Sequence, residues 1–304
     1  VSAFAWLLAA AYAGSQVPGT FWMLDNLSNF QPHFAAAFLA CAALFALRRK
    51  ALPALACLGL ATLALARVLP WYLDATAAPD APRHSPVRLL VSNVYYANRD
   101  HRRLLALVER ENPDVIGLVE ISAAWLQRLR PLRAAYPYHY EVPGERHVGL
   151  ALYSRLPMSH ARTLARADEH ESPVIAATLA TPGGAVEILL AHPASPVGPT
   201  YIERRNAQVA ALARHARELD GPLVLAGDLN LTMWNRGYRP LVELAELHNA
   251  RKGHGIGPTW PALGPLGVPI DHVLASPEVG FRDFRVLPGI GSDHLPVTAE
   301  FTVP

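Results

Sequence analysis

The sequence predicts an α/β fold, two packed mixed β-sheets with helices outside, preceded by a helical head embedded in a membrane. Two observations carry that expectation: from residue 87 onward short apolar runs alternate with polar turns and helical patterns, whereas residues 4–73 are mostly Ala, Leu, Phe and Val. The chain of 304 residues is long enough for both parts.

In the head, three apolar stretches stand at residues 4–17, 34–47 and 51–66. Each falls short of the roughly 20 apolar residues that a spanning helix needs. Residues 24–30 lead into the second, and residues 68–73 carry the third past Arg67. All three are apolar all round rather than striped, as helices facing lipid are. Residues 1–73 are therefore expected to form an anchor with about three transmembrane helices, the alternative being a buried helical hairpin of a soluble domain. Arg48, Arg49 and Lys50 link the second and third stretches, while residues 18–30 hold Asp25 and no basic residue. The basic link should face the cytoplasm, which puts everything after Asp74 on the far side. Reading the first stretch instead as a signal peptide cut near Ala11-Tyr12-Ala13 leaves that side unchanged.

Both cysteines, Cys41 and Cys57, fall in the head, so the later domain must hold its fold by core burial alone. With 27 basic and 25 acidic residues the net charge is +2, too weak by itself to indicate nucleic acid.

Residues 74–86, rich in Ala, Pro and Asp, read as a tether, and residues 87–304 as one domain. Its predicted strands are 87–91, 115–119, 150–153, 175–179, 186–191, 223–226, 270–274 and 297–301. Helical patterns cover 102–111, 124–132, 201–219 and 238–247, with Pro131 and Pro240 blurring two boundaries. Arg204 and Arg205 are expected on the solvent face of the third helix.

Polar residues recur where these strands end. Asn93 follows the first strand, Glu120 closes the second and His192 follows ILLA. Asp228 and Asn230 end LVLAGDLN, while Asp271 and His272 interrupt PIDHVL and Asp293 and His294 follow Gly291-Ser292. Each alone reads as a turn former or a solvated group. Together they imply that the charges meet one another or a metal, because an unpaired charge at a buried strand end costs several kcal/mol. The domain has no Cys for a zinc site, no His-Glu-x-x-His and no Gly-x-Ser-x-Gly elbow, and GHGIGP at 253–258 follows no strand. Hard oxygen chemistry remains, suited to Mg²⁺ or Mn²⁺ and a phosphate.

The motifs SNV, DVIGLVE, GLALYSRLP, AHP, GDLN, IDHVL and SDHLPV stand in the order and approximate spacing of the endonuclease/exonuclease/phosphatase superfamily, which the sequence resembles over residues 87–301. The apolar head, HPASP and PTWP look most like its bacterial membrane-anchored branch, which includes proteins associated with glycopeptide resistance. The resemblance implies a four-layer α/β sandwich. It implies that Glu120, with Asn93 and Asp293, holds Mg²⁺ or Mn²⁺ against a phosphate oxygen. His294, oriented by Asp271, would act as base or stabilise the phosphorane; Asp228 would position or deprotonate the attacking water; Asn230 and His192 would donate hydrogen bonds to the phosphate. One departure is that the acidic partner of His192 has no clear counterpart, although Glu141 and Glu145 stand nearby. His272 is expected beside the site rather than in it, and His139, His147 and residues 168–172 at the surface.

The expected function is therefore hydrolysis of a phosphate ester or pyrophosphate by a metal-dependent enzyme tethered to the bacterial inner membrane, on its periplasmic or extracellular side. Its partners would be membrane lipids and a lipid-linked phosphate substrate. An extracytoplasmic nuclease is the runner-up, with only Arg99, Arg102, Arg103 and the Arg204-Arg205 pair hinting at a basic groove. A catalytically inactive membrane receptor is the third reading.

Overall fold

Two six-stranded mixed sheets pack face to face, with helices on both outer sides, in a computed structural model that describes residues 2–17, 21–73, 84–164 and 172–304. In chain order the strands are β1 (Val87–Asn93), β2 (Val115–Val119), β3 (Tyr138–Val142), β4 (Leu150–Ser154), β5 (Met158–Thr163) and β6 (Val174–Thr181). Then come β7 (Gly184–Ala191), β8 (Leu223–Asp228), β9 (His248–Asn249), β10 (Asp271–Ala275), β11 (Gly280–Val286) and β12 (Val297–Thr302). The first sheet runs β11-β12-β1-β2-β4-β3 and the second β5-β6-β7-β8-β10-β9. Each contains one parallel pair, β1 with β2 and β7 with β8, joined through the helices His101–Glu111 and Pro199–Glu218. The core between the sheets is built from alternate residues such as Leu89, Val91, Ile188, Leu190, Val224 and Val273. The helices bury separate apolar faces on the outside, Leu104 and Leu107 on the first sheet, Val209 and Leu212 on the second.

All eight predicted strands are present. The four strands that the apolar pattern does not predict, β3, β5, β9 and β11, are the edge strands of the two sheets. An edge strand is polar on its open side, and short or charged sequences such as YHYEV and MSHART keep it from pairing further. Two predicted helices shorten. Residues 124–132 divide at Pro131 into Ala123–Leu129 and Leu132–Ala135, and residues 238–247 reduce to Arg239–Glu243.

The head consists of the helix Ser2–Gln16, a short helix Trp22–Leu27, a 3₁₀ turn Ser28–Phe30, and the helices Gln31–Leu47, Ala51–Val68 and Pro70–Leu73. Two helical runs are long and apolar enough to cross a membrane, Trp22–Leu47 and Ala51–Leu73. The first expected span corresponds to Ser2–Gln16, whose 15 residues rise only about 22 Å against a hydrocarbon core of about 30 Å. Large apolar side chains of the long helices point away from all protein, with Leu47 and Leu52 at 81% and 80% exposure.

The domain sits on the head at the end of this hairpin remote from Arg48-Arg49-Lys50. Val68 and Trp71 join the apolar cluster of Leu229, Leu231 and Trp234, and the Trp234 indole N–H donates to the Arg67 carbonyl at 2.9 Å. Gly253 and Gly255 donate their backbone N–H groups to the Trp71 carbonyl. Arg205, expected in solvent, is fully buried; its guanidinium Nη2 donates to Asp25 Oδ2 at 3.1 Å. The tether expected at 74–86 lies outside the described residues as far as residue 83, as do residues 168–171.

Candidate active site

Strand register gathers the polar strand ends. β1 and β2 run parallel, so Asn93 and Glu120 leave the first sheet at one edge. In the second sheet β7 and β8 end at that same edge with His192 and Asp228, and antiparallel β10 begins there, with Asp271 directly opposite Asp228. The turn before β12, antiparallel to β1, brings Asp293 and His294 to the group. Three residues of this edge have left-handed backbones, Tyr95, Glu120 and Asn230, with φ of 58°, 63° and 54°. Asn tolerates that conformation; Glu and Tyr do so at a cost of about 1 kcal/mol or more, borne by the surrounding contacts.

The hydrogen bonds radiate from two residues. The Asn93 amide Nδ2 donates to Glu120 Oε1 and to Asp228 Oδ2, each at 3.0 Å, while its Oδ1 accepts from the Tyr95 N–H. Glu120 Oε2 accepts from the Tyr96 N–H at 3.1 Å. Asp228 Oδ1 accepts from the Asn230 N–H, and its Oδ2 lies 3.4 Å from His192 Nε2 and 3.5 Å from His294 Nε2. His294 Nδ1 donates to Asp271 Oδ2 at 3.0 Å. Asn230 Nδ2 donates to the Pro193 carbonyl, and Asp293, exposed at the rim, accepts from the Trp260 indole. The acidic partner sought for His192 is replaced by a backbone group, because Nδ1 donates to the His147 carbonyl at 2.9 Å. Glu141 instead pairs with Arg133 and Tyr153.

These contacts set the protons. Burial alone would depress the His294 imidazole, but Asp271 and Asp228 outweigh it and raise it from 6.5 to about 10. Burial likewise opposes protonation of His192, yet Asp228 and Glu120 raise it. Asp228 is pulled well below the carboxylate range by His294 and His192 although burial acts the other way. Asp271 is raised, by burial and then by the Asp228 charge, against the pull of His294. His272 is pushed down to about 3 by burial and Arg251, so the neutral ring donates to the Leu231 carbonyl and accepts from Asn249. It stays behind the site, as expected.

Asp228, Asp271 and His294 could hold an ion by spacing alone, since their ligand atoms all lie within 4.8 Å of one another. His294, however, already donates Nδ1 to Asp271 and turns Nε2 toward Asp228. The Glu120 side fits a cation better. Each of its oxygens accepts a single hydrogen bond, and with Asp228 and Asp293 it lines a cavity of about 400 Å³. Two buried polar atoms, His192 Nε2 and Asp271 Oδ1, have no hydrogen-bond partner. Three buried carboxylates, with Asp293 at the rim, against two imidazoles leave surplus negative charge, which a divalent cation would offset.

The sequence profile described as the Endonuclease/Exonuclease/phosphatase family matches residues 90–294 of the 304. The chain belongs to the endonuclease/exonuclease/phosphatase family. Members of this family are metal-dependent phosphodiesterases and phosphatases. Among solved structures, a zebrafish (D. rerio) TDP2 complexed with single-strand DNA product is similar at a TM-score of 0.62 and 16% identity, covering 72% of this chain and 100% of that one. An endonuclease/exonuclease/phosphatase from Beutenbergia cavernae gives 0.59 and 23% over 73% of this chain and 72% of its own. The 3′ phosphatase NExo from Neisseria, bound to a product DNA hairpin, gives 0.57 and 20% over 71% and 99%. No curated protein sequence matches the chain.

Within this family fold, Ser292 Oγ ties the SDHLPV motif to β1 by donating to the Asn93 carbonyl. Other residues of the site carry no signal in the sequence: Arg251, fully buried, donates to the Asp271 carbonyl at 2.7 Å. Asn26, Asn29 and Phe30 line the cavity from the head, more than 60 positions before the first motif.

Proposed function

We propose that the protein is a membrane-anchored, divalent-metal-dependent phosphoesterase that hydrolyses a phosphate ester or pyrophosphate on a lipid-linked substrate, outside the cytoplasm of a bacterium. One observation supports this above the others: the cavity has both a polar and an apolar lining. Glu120, Asp228, Asn230 and His294 line it together with the apolar Phe30, Val197, Val268 and Ile270, and Phe30 belongs to the anchor. Such a space suits a phosphate joined to an apolar chain. The outward Leu side chains of the long helices and the basic Arg48-Arg49-Lys50 turn on the remote side support the membrane placement. The head and the HPASP and PTWP motifs support assignment to the bacterial membrane-anchored branch.

In this reading Glu120 holds the Mg²⁺ or Mn²⁺ ion with Asp293 and Asn93, and the ion supplies neutralisation of charge on a phosphate oxygen. His192 and His294, both pushed toward the charged form, present Nε2 to the phosphoryl group and offset the charge that builds on it. Asp228, held as an anion between them, orients the attacking water. Asp271 keeps the His294 ring aimed through Nδ1. Asn230 has one N–H left after bonding Pro193 and directs it to the phosphate.

The test is hydrolysis by the full chain in detergent or lipid vesicles, using a panel of phosphomonoesters, phosphodiesters and prenyl pyrophosphates with Mg²⁺ and Mn²⁺. Release of phosphate that stops with EDTA and with Glu120→Ala is expected. Full activity in EDTA overturns the metal reading, and no turnover of any panel member leaves the inactive receptor.

A nuclease is the second reading, favoured by the DNA held in two of the similar structures. Against it, none of the residues lining the cavity is Lys or Arg. Plasmid nicking with steep salt dependence would decide for it.

A further inference from the structure

The short helix Trp22–Leu27 and the 3₁₀ turn after it do more than begin a span. Asp25 and Asn26 lie on the last turn of the helix and Asn29 on the 3₁₀ turn after it, and each grips a different piece of the site's edge. Asp25 Oδ2 accepts from Arg205 Nη2 at 3.1 Å, and Arg205 Nη1 donates to the Asn230 carbonyl at 3.2 Å. Asn29 Oδ1 accepts from both the N–H and the hydroxyl of Thr232, each at 3.0 Å. Asn26 Nδ2 donates to the Pro196 carbonyl at 2.9 Å, in the loop that follows His192. Arg205 and Thr232 are fully buried and Asn29 nearly so.

The turn these groups hold is the one that aims Asp228 and Asn230. Asn230 has a left-handed backbone, and its carbonyl receives the bond from Arg205. A turn of that kind has few bonds of its own to fix it. Leu229 N–H donates to the Ile270 carbonyl and Asn230 to Asp228 and Pro193, while Thr232 is held by Asn29, some 200 positions earlier in the chain, and Asn230 through Arg205 by Asp25. We propose that Asp25 and Asn29 are positioning residues for the catalytic turn 228–232, so that the membrane anchor is a structural part of the active site rather than a tether to it. The effect on turnover rests on the phosphoesterase reading; the effect on the turn itself does not.

The test uses the full chain in detergent with Asn29→Leu and Asp25→Leu, and the conservative partners Asn29→Asp and Asp25→Glu, which keep the acceptors. Backbone hydrogen exchange of residues 228–235 is expected to rise at least about tenfold in the first pair, with strands β1 and β7 unchanged, as loss of a buried bond requires. The metal-dependent hydrolysis of bis(p-nitrophenyl) phosphate is expected to lose up to about 10²-fold in kcat with KM changed less than about threefold, since the soluble ester does not depend on the bilayer. The conservative variants should recover most of both. If exchange of 228–235 stays at the wild-type rate in Asn29→Leu and Asp25→Leu, the proposal is wrong. If wild type hydrolyses nothing, the enzymatic reading fails while the exchange data still decide the positioning role.

Discussion

The His294 ring lies between two carboxylates, Asp271 at 3.0 Å from Nδ1 and Asp228 at 3.5 Å from Nε2. Its charge is therefore a property of the pair around it. Asp271→Asn removes the larger of the two attractions that oppose burial. Labelled-histidine NMR should find the wild-type ring protonated through neutral pH and the Asp271→Asn ring titrating at distinctly lower pH; identical titrations would refute the assignment. The same shifts predict how stability follows pH in metal-free protein. His294 is raised in the folded state, so its contribution is complete below about 6.5 and is lost as pH climbs toward about 10. Asp228 is depressed, so its contribution is present above about 4 and fades as the medium becomes more acid. Thermal melts in EDTA should thus peak between about pH 4 and 6.5.

At the scale of elements, the end of β8 shows what a sequence makes legible. LVLAGDLN carries its own explanation: an apolar strand, then Asp228 and Asn230, with β10 pairing to bring Asp271 opposite. Gly227 is needed there for backbone reasons, because its φ is +141° and a Cβ would stand 1.9 Å from the Ala191 carbonyl oxygen. Gly227→Ala should lower unfolding stability by about 3 kcal/mol and also shift Asp228, and a denaturant midpoint within error of wild type would contradict that packing. Interior strands announce themselves because both faces are apolar, and edge strands such as Met158–Thr163 do not. Arg205 was illegible for a different reason. An arginine on an amphipathic helix reads as solvated unless its partner is known, and Asp25 lies 180 positions away, in a segment whose composition suggests only lipid.

For the whole molecule, the motif residues were readable because each sits where a strand stops, and topology then brings separate strand ends to one edge. The expected division into anchor, tether and domain rests on composition alone, which describes solvents and not contacts. It could not foresee that the domain docks directly onto residues 22–33 and 67–72, with Trp234 bonded to Arg67 and His33 to the Pro265 carbonyl. Because Phe30 is both the last residue before a long apolar helix and a wall of the cavity, the proposed reaction becomes two-dimensional. On that proposal a lipid would reach the carboxylates by sliding within its own leaflet, and its rate of capture would depend on how crowded that leaflet is. Diluting a lipid phosphate with inert phospholipid, at constant total amount per millilitre, should slow hydrolysis in proportion, whereas a soluble ester in the same vesicles should be consumed at an unchanged rate.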